Sequence, residues 1–391
     1  MKLLADKHIY FLEELLPKEV ELFYYDSELG IPNLTGMDAW LLRTVTKVNP
    51  KTLASVPRSL KYIGSASAGF DHVDITYLSS LNIGFEHSPG CNANAVAEYV
   101  VTGIISWLEQ QQLDLSEVTV GIIGMGHTGG TLAKLLEKMG VQYIGYDPPK
   151  SLRDPAFESC RIETLEACDI LSLHVPYTRD TAHATHHLIP DILSLSSKNK
   201  LLINASRGGV INESYLLSNN ILNRLIKNKF SYIIDVWEGE PHPNPKVVDH
   251  AFLASPHIAG YSKQAKFEAT RAVLARILSH FNLPCKQVSE EIVETKPTES
   301  FKPSSNNDPK EVDYFQAKTF SLNKLHGLHN YDYEIRKLGK LQNDMSRDAY
   351  GSSFQELRNK LPLRNEFRVT PLPEKIPKKY SPLFLSALKP E

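Results

Sequence analysis

Arg207, Glu240 and His257 are the side chains whose types and surroundings suit chemistry on a small organic acid. Arg207 lies in Asn204-Ala-Ser-Arg-Gly-Gly, the end of an apolar run followed by a small-residue turn that displays the guanidinium. Its planar fork suits bidentate binding of a carboxylate and polarisation of an adjacent carbonyl. Glu240 lies in Asp235-Val-Trp-Glu-Gly-Glu-Pro, and His257 in Ser255-Pro-His-Ile-Ala-Gly-Tyr. A carboxylate paired with an imidazole holds the ring in one orientation and stabilises its protonated form. Such a pair can take or return a hydroxyl proton as the neighbouring carbon is oxidised or reduced. Singly, each residue has a plainer reading: a surface turn arginine, a solvated carboxylate, one of fourteen histidines. In this order and within these flanking segments, the chemical reading is favoured.

A glycine turn upstream indicates the second reactant. Val118-Thr-Val-Gly-Ile-Ile reads as a buried strand, followed by Gly124-Met-Gly126-His-Thr-Gly129 and a helical pattern from Thr131 to Met139. A second run, Tyr143-Ile-Gly-Tyr, ends at Asp147. Strand, glycine turn, helix, strand and acidic residue form the dinucleotide-binding fingerprint. Gly124 permits the tight turn, Gly126 admits a pyrophosphate close to the backbone, and Gly129 lets helix and strand pack. The free amides at the helix start face the phosphate charge. Asp147 can accept from both ribose hydroxyls and repels a 2′-phosphate, so the expected cofactor is NAD, not NADP.

Composition narrows the classes further. A length of 391 residues allows two or three domains, and 42% apolar with 23% charged residues is ordinary for a globular protein. A net charge of −2 gives no basic footprint for nucleic acid or membrane. The N-terminus carries charge too early for a signal peptide, and no apolar run spans a bilayer. Four scattered cysteines without CxxC spacing suit a reducing cytoplasm, the expected location.

The elements that must position these residues read as alternating strands and helices. Lys2–Asp6, Val20–Tyr24, Ala39–Arg43 and Lys61–Ser65 read as strands of a smaller α/β unit. An unbroken helical pattern from Ala93 to Leu108 precedes the glycine fingerprint. Strands at Asp169–His174, Lys200–Asn204, Tyr232–Val236 and Phe252–His257 continue a doubly wound parallel sheet. A helix over Lys263–Phe281 returns the chain to the first unit. The expected domains are a flavodoxin-like substrate (lid) unit, 1–92 with 258–285, and a Rossmann-type NAD unit, 93–257. A polar, proline-punctuated linker over 286–312 leads to a C-terminal segment, 313–391, with a proline-rich tail from Pro371.

These segments together resemble the D-isomer-specific 2-hydroxyacid dehydrogenases over residues 1–285. The resemblance implies Arg207 as carboxylate anchor, His257 as acid/base and Glu240 as its partner. It places Asp235 near the nicotinamide end, with His127, Thr128, Val175, Ser206 and Gly260 also at the cofactor. Finer features fit the branch that oxidises 4-phosphoerythronate on the way to pyridoxal phosphate. They are Pro89-Gly-Cys-Asn-Ala-Asn-Ala-Val-Ala-Glu-Tyr-Val, Arg43-Thr-Val-Thr-Lys47, Gly64-Ser-Ala-Ser-Ala-Gly-Phe-Asp-His and Tyr261 after His257-Ile-Ala-Gly. That branch implies substrate contacts at Thr44, Ser65 and Tyr261, with hydroxyls that donate to an anionic ligand; Arg43 or Lys47 is the candidate cation for its phosphate. Ser353-Phe-Gln-Glu-Leu-Arg-Asn-Lys-Leu-Pro-Leu-Arg-Asn-Glu-Phe367 resembles the branch's α+β dimerisation domain, with Tyr331-Asp-Tyr-Glu-Ile as an earlier strand, and implies a homodimer. Related dehydrogenases for 3-phosphoglycerate or glycerate, and a cofactor-sensing corepressor, are the alternatives. His183, His186 and His187 lack a ligand-spaced cysteine or carboxylate, with Asp191 only weak support, so no metal is expected. The cluster around Lys378–Phe384 is expected to be packed or disordered rather than a partner site.

Overall fold

The computed structural model describes residues 1–188, 200–295, 322, 326–370 and 378–384. Asp191, the stretch 296–312 of the expected linker, and tail residues 371–377 and 385–391 lie outside them. The chain divides into two compact units, 1–92 with 261–295, and 93–260 with the described C-terminal residues. Among the described residues no helix is long and apolar enough to cross a membrane.

The first unit is a parallel sheet of β1 (Lys2–Asp6), β2 (Glu21–Tyr25), β3 (Ala39–Leu42), β4 (Tyr62–Ser65) and β5 (Gly84–Glu86), in the order β2-β1-β3-β4-β5. Strand alternation sorts its side chains to two faces. Leu3, Ala5 and Leu41 pack with Val273 and Ile277, while Leu4, Trp40 and Ile63 join Leu78 and Ile83. Both faces are therefore covered, as an all-parallel sheet requires. The chain past Cys285 departs from the linker expected there. It forms a short helix, Glu290–Thr295, whose Val293 is buried in the first unit's core.

The second unit is a six-stranded parallel sheet, β11-β10-β9-β8-β6-β7. Its strands are Thr119–Ile123 (β6), Gln142–Tyr146 (β7), Ile170–Leu173 (β8), Lys200–Asn204 (β9), Phe230–Ile234 (β10) and Leu253–Ala254 (β11). Helix α1, Ala93–Gln111, is buried on every side from Ala95 to Leu108, which explains its apolar character all round. Helix α2, His127–Lys138, starts directly at the glycine turn, a turn earlier than its apolar pattern. Helix α3, Lys263–His280, belongs to the first unit.

The C-terminal segment differs from expectation. Tyr331-Asp-Tyr-Glu-Ile is not a strand but part of α4, Leu328–Lys340, and α5 covers Arg347–Lys360. Tyr331, Ile335 and Leu338 fall at i, i+4 and i+7 and are all buried, so the helical period outranks the strand expected over Tyr331-Asp-Tyr-Glu-Ile. The described C-terminal helices join the compact unit of the Rossmann sheet rather than standing apart. At the tail, Tyr380 and Leu383 are buried in a short 3-10 helix, Lys378–Leu383.

Candidate active site

In the second unit every expected site residue follows the carboxyl end of a strand, at the edge where parallel sheets place ligands. Gly124 follows β6, Asp147 β7, Val175 β8, Ser206 and Arg207 β9, Asp235 and Glu240 β10, and His257 with Gly260 β11. The sheet order reverses between β6 and β8, so the glycine turn stands at the switch point.

The glycine turn is built to pattern. Gly124 has φ +91°, and a Cβ there would lie 2.4 Å from the His174 carbonyl and 2.8 Å from Val175 Cγ1. A Cβ at Gly129 would lie 1.9 Å from the Gly124 carbonyl. At Gly126 it would meet nothing within 4 Å, so packing does not require that glycine. Gly126 is the N-cap of α2 and offers no side-chain bond to the first-turn amides, which include those of His127 and Thr128. Asp147 accepts from the amides of Met125 (2.8 Å) and Lys150 (2.9 Å), which hold its carboxylate beside the turn.

Three segments assemble the remaining groups. The Asn204 side chain accepts from the amide and hydroxyl of Ser206 (3.1 and 2.8 Å) and donates to the Arg207 carbonyl at 3.0 Å. This shapes the turn that carries Arg207. A Cβ at Gly208 would lie 1.9 Å from the Trp237 carbonyl, so this turn abuts the Glu240 segment. His257 Nδ1 is 2.7 Å from Glu240 Oε2, and Glu240 Oε1 accepts from the Trp237 amide at 2.9 Å. Burial pushes the Glu240 carboxyl up, but His257, Arg358 and the Trp237 amide outweigh it and hold it below its ordinary value.

Asp235 is tied to the protein. Its Oδ1 accepts from the Ser255 hydroxyl (2.6 Å) and the Ile258 amide (2.8 Å), and Oδ2 from the Ala259 amide (2.9 Å). These bonds straddle His257, whose φ of +59° is rare for a residue with a Cβ. Asp235 thus clamps the unusual backbone that presents the imidazole. Burial pushes its carboxyl up, against His257 and its donors. Because Ser255 donates to Asp235, the Tyr99 hydroxyl must donate to Ser255 (2.7 Å), which ties α1 to the same turn. Tyr99 and Ser255 lie in two separate sequence motifs, and nothing in the sequence joins one to the other.

In the first unit Arg43, Thr44 and Lys47 follow β3, Ser65 ends β4, and Tyr261 precedes α3. Arg43 is engaged, with Nε 3.1 Å from the buried Asp6 carboxylate and Nη2 3.4 Å from Ser27 Oγ. Thr44 and Lys47 are exposed. Ser65 departs from its expected donor role. Ser67 Oγ donates to the Gly69 carbonyl (2.7 Å), so the Ser65 hydroxyl gives its one proton to Ser67 (2.7 Å). Ser65 then accepts from His72 Nε2 at 2.8 Å. Its donor capacity serves the loop, and His72, given no role in the sequence, holds the chain's head. Lys266 Nζ lies 3.6 Å from the Tyr261 ring centroid, a cation on an aromatic face that spacing did not suggest.

The decoy histidines acquire a carboxylate through folding. His187 Nε2 is 3.0 Å from Glu238 Oε1, and His186 stacks on His187 with centroids 3.7 Å apart and planes 24° apart. The ligand atoms of His186, His187 and Glu238 all lie within 4.8 Å of one another, so folding brings to these histidines the carboxylate that their sequence spacing lacks.

Comparison with known proteins agrees with this geometry. A family model described as D-isomer specific 2-hydroxyacid dehydrogenase, NAD binding domain, matches residues 92–259. An erythronate-4-phosphate dehydrogenase of Proteus mirabilis (strain HI4320) is 38% identical over 276 residues, 70% of this chain and 72% of that protein. The chain belongs to the D-isomer-specific 2-hydroxyacid dehydrogenase family. Within it, the similar relatives carry the erythronate-4-phosphate name, including one from Shewanella sp. (strain MR-4) at 36% identity over 74% of this chain and 77% of that protein. Solved structures share the dehydrogenase fold at lower identity. D-2-hydroxyisocaproate dehydrogenase gives a TM-score of 0.57 at 22% identity, covering 72% of this chain and 97% of that one. The 3-phosphoglycerate dehydrogenase of Entamoeba histolytica gives 0.56 at 22%, covering 72% and 95%. The family's NAD-binding domain thus contains the Gly126 turn and the amides opening α2 as donors and the Asp147 carboxylate as acceptor, a set that fits NAD.

Proposed function

We propose that this protein oxidises 4-phospho-D-erythronate with NAD, giving 2-oxo-3-hydroxy-4-phosphobutanoate for pyridoxal phosphate synthesis. The observation that carries this reading is the 2.7 Å His257–Glu240 pair beside the Arg207 turn, on the ligand edge of an NAD-binding sheet. The names of the similar relatives support the choice of substrate.

In this account Arg207 binds the substrate carboxylate and orients C2. Neutral His257 accepts the C2 hydroxyl proton at Nε2, because Nδ1 is held by Glu240. The Glu240 carboxylate stabilises the imidazolium that results. Bound NAD supplies a hydride acceptor, and the amides opening α2 with Asp147 hold its pyrophosphate and ribose ends. Lys47 is the better phosphate cation of the two candidates, because Arg43 already neutralises buried Asp6. Thr44 and Tyr261 offer hydroxyls to the substrate, whereas Ser65 shapes its loop. The protein acts as a homodimer through its C-terminal segment; light scattering should give twice the 43.9 kDa chain mass, and a monomer mass at micromolar concentration would contradict this.

The test is steady-state kinetics of two variants. His257→Asn should lower kcat about 10²–10⁴-fold with substrate KM nearly kept. Arg207→Gln should lower kcat/KM at least as far while NADH affinity is kept. Retention of wild-type kcat by His257→Asn would overturn the assignment.

A further inference from the structure

Lys150 brings a cation to the ribose end of the cofactor site. Asp147 follows β7 and caps a single helical turn, Pro148–Ser151, of which Lys150 is the third residue. A lysine in such a turn is free to extend into solvent. This one folds back towards the glycine turn, and its Nζ donates to the Met125 carbonyl at 3.1 Å. The same residue, Met125, gives its amide to Asp147 Oδ2 at 2.8 Å. Carboxylate and ammonium are therefore anchored on the two backbone polar groups of one residue. Met125 is itself buried, and a Cβ at Gly145 would lie 3.0 Å from its Cγ, so packing against β7 fixes the anchor.

Two further contacts hold the ammonium there. It lies over the Phe157 ring, 4.8 Å from the centroid, and 3.9 Å from Asp154 Oδ2. The Lys150 side chain is 31% exposed and that of Asp154 44%, so solvent weakens this ion pair. An ammonium has three donors, and among the described residues only the Met125 carbonyl lies within hydrogen-bond distance of this one. A neutral carbonyl offsets little of the charge. A cation with donors to spare, beside the carboxylate that takes the ribose, is suited to a 2′-phosphate. In NADP-binding sites of this fold an arginine near this position accommodates that group.

We infer that Lys150 forms a subsite for the 2′-phosphate of NADP(H), opposed by Asp147, so that exclusion of NADP rests on the Asp147 carboxylate alone. The inference rests on the NAD-binding role of this glycine turn. Asp147 accepts from the ribose hydroxyls of NAD and repels the added phosphate, which carries nearly two negative charges at neutral pH. Lys150 attracts the same phosphate from the Met125 side. With both residues present the carboxylate prevails and NAD is preferred. Without the carboxylate, the cation makes NADP(H) the better ligand.

The experiment is fluorescence titration of the full-length protein with NADH and with NADPH, read as the ratio of the NADPH to the NADH dissociation constant. Lys150→Met should raise that ratio about tenfold, the worth of one charge-assisted bond to phosphate. Asp147→Ser removes the carboxylate but keeps an oxygen that can cap the turn, and should bring the ratio below one. Adding Lys150→Met to Asp147→Ser should return the ratio above one, whereas adding Lys150→Arg should keep it below one. Raised salt should weaken NADPH binding by Asp147→Ser more than by the Asp147→Ser, Lys150→Met double variant, because only the first makes the screened ion pair. If Lys150→Met does not fold, Lys150→Gln keeps a donor for the Met125 carbonyl without the charge and should give the same rise. A double variant that still prefers NADPH would overturn the inference. Failure of the wild-type protein to bind NADH would sink the cofactor site and the subsite together. NADH binding with a ratio indifferent to the Lys150 charge in both backgrounds would sink the subsite alone.

Discussion

Alanine placed singly at Gly126 and at Gly129 separates what the turn does for the fold from what it does for a ligand. At Gly129 the new Cβ would lie 1.9 Å from the Gly124 carbonyl and 3.2 Å from Ile122 Cγ2. Both obstacles belong to the strand and turn that α2 packs against, so the helix start must retreat by about 1 Å or more. Overpacking of this kind costs about 1–3 kcal/mol, or a melting temperature lower by about 5 °C. At Gly126 the added methyl meets no protein atom within 4 Å, and the local φ of −75° is open to alanine. Stability should stay within about 0.5 kcal/mol of wild type. The methyl would instead stand in the way of a pyrophosphate, so the NADH dissociation constant should rise at least about tenfold. Thermal melts without cofactor and fluorescence titration with NADH read the two effects separately. Wild-type NADH affinity in Gly126→Ala would refute the cofactor assignment. A wild-type melt for Gly129→Ala would refute the packing account.

Four further predictions concern charged groups. Lys47→Ala should leave the melt unchanged and raise KM at least about tenfold for the phosphorylated substrate, but not for D-glycerate. Arg43→Ala should instead cost about 3–5 kcal/mol of stability, because Asp6 is left buried without its cation; a wild-type melt would contradict the pairing. Asp235→Asn replaces an acceptor oxygen with a donor among the groups flanking His257, and should cost about 1–3 kcal/mol by denaturant titration together with a fall in kcat. Burial pushes the Glu213 carboxyl up to about 7 from 4.5, so its neutral form is favoured in the fold. Its contribution to stability is present below pH 4.5 and lost as pH rises through about 7, up to about 3 kcal/mol. Glu213→Gln should flatten the unfolding free energy over that window, and an unchanged slope would contradict the assignment.

The sheet edges were legible because parallel strands buried on both faces read as unbroken apolar runs. The small or charged residues after those runs mark where ligands must bind. Arg207, Glu240 and His257 stood out for that reason, although nothing in their spacing reports the 2.7 Å contact that unites two of them. Other features required the fold. Ser65 reads as a free donor until Ser67 and Gly69 come within reach. Asp235 reads from the sequence as a cofactor neighbour, and only the fold adds that it accepts from the Ser255 hydroxyl before His257 and the Ile258 and Ala259 amides after it. The C-terminal helices misled because Asn330 to Tyr333 alternates apolar and polar residues, while the buried period only emerges over Tyr331, Ile335 and Leu338.

Substrate choice by the purified wild-type protein tests the central claim most directly. NADH formation should be followed with 4-phosphoerythronate beside 3-phosphoglycerate, D-glycerate and D-lactate, with a trap for the oxo product. A 2-oxo acid acceptor run in parallel would reveal turnover hidden by tightly held cofactor. The account predicts clear preference for 4-phosphoerythronate, abolished in His257→Ala. Preference for another of the four acids would contradict the substrate assignment, and silence with all of them would contradict the enzymatic reading.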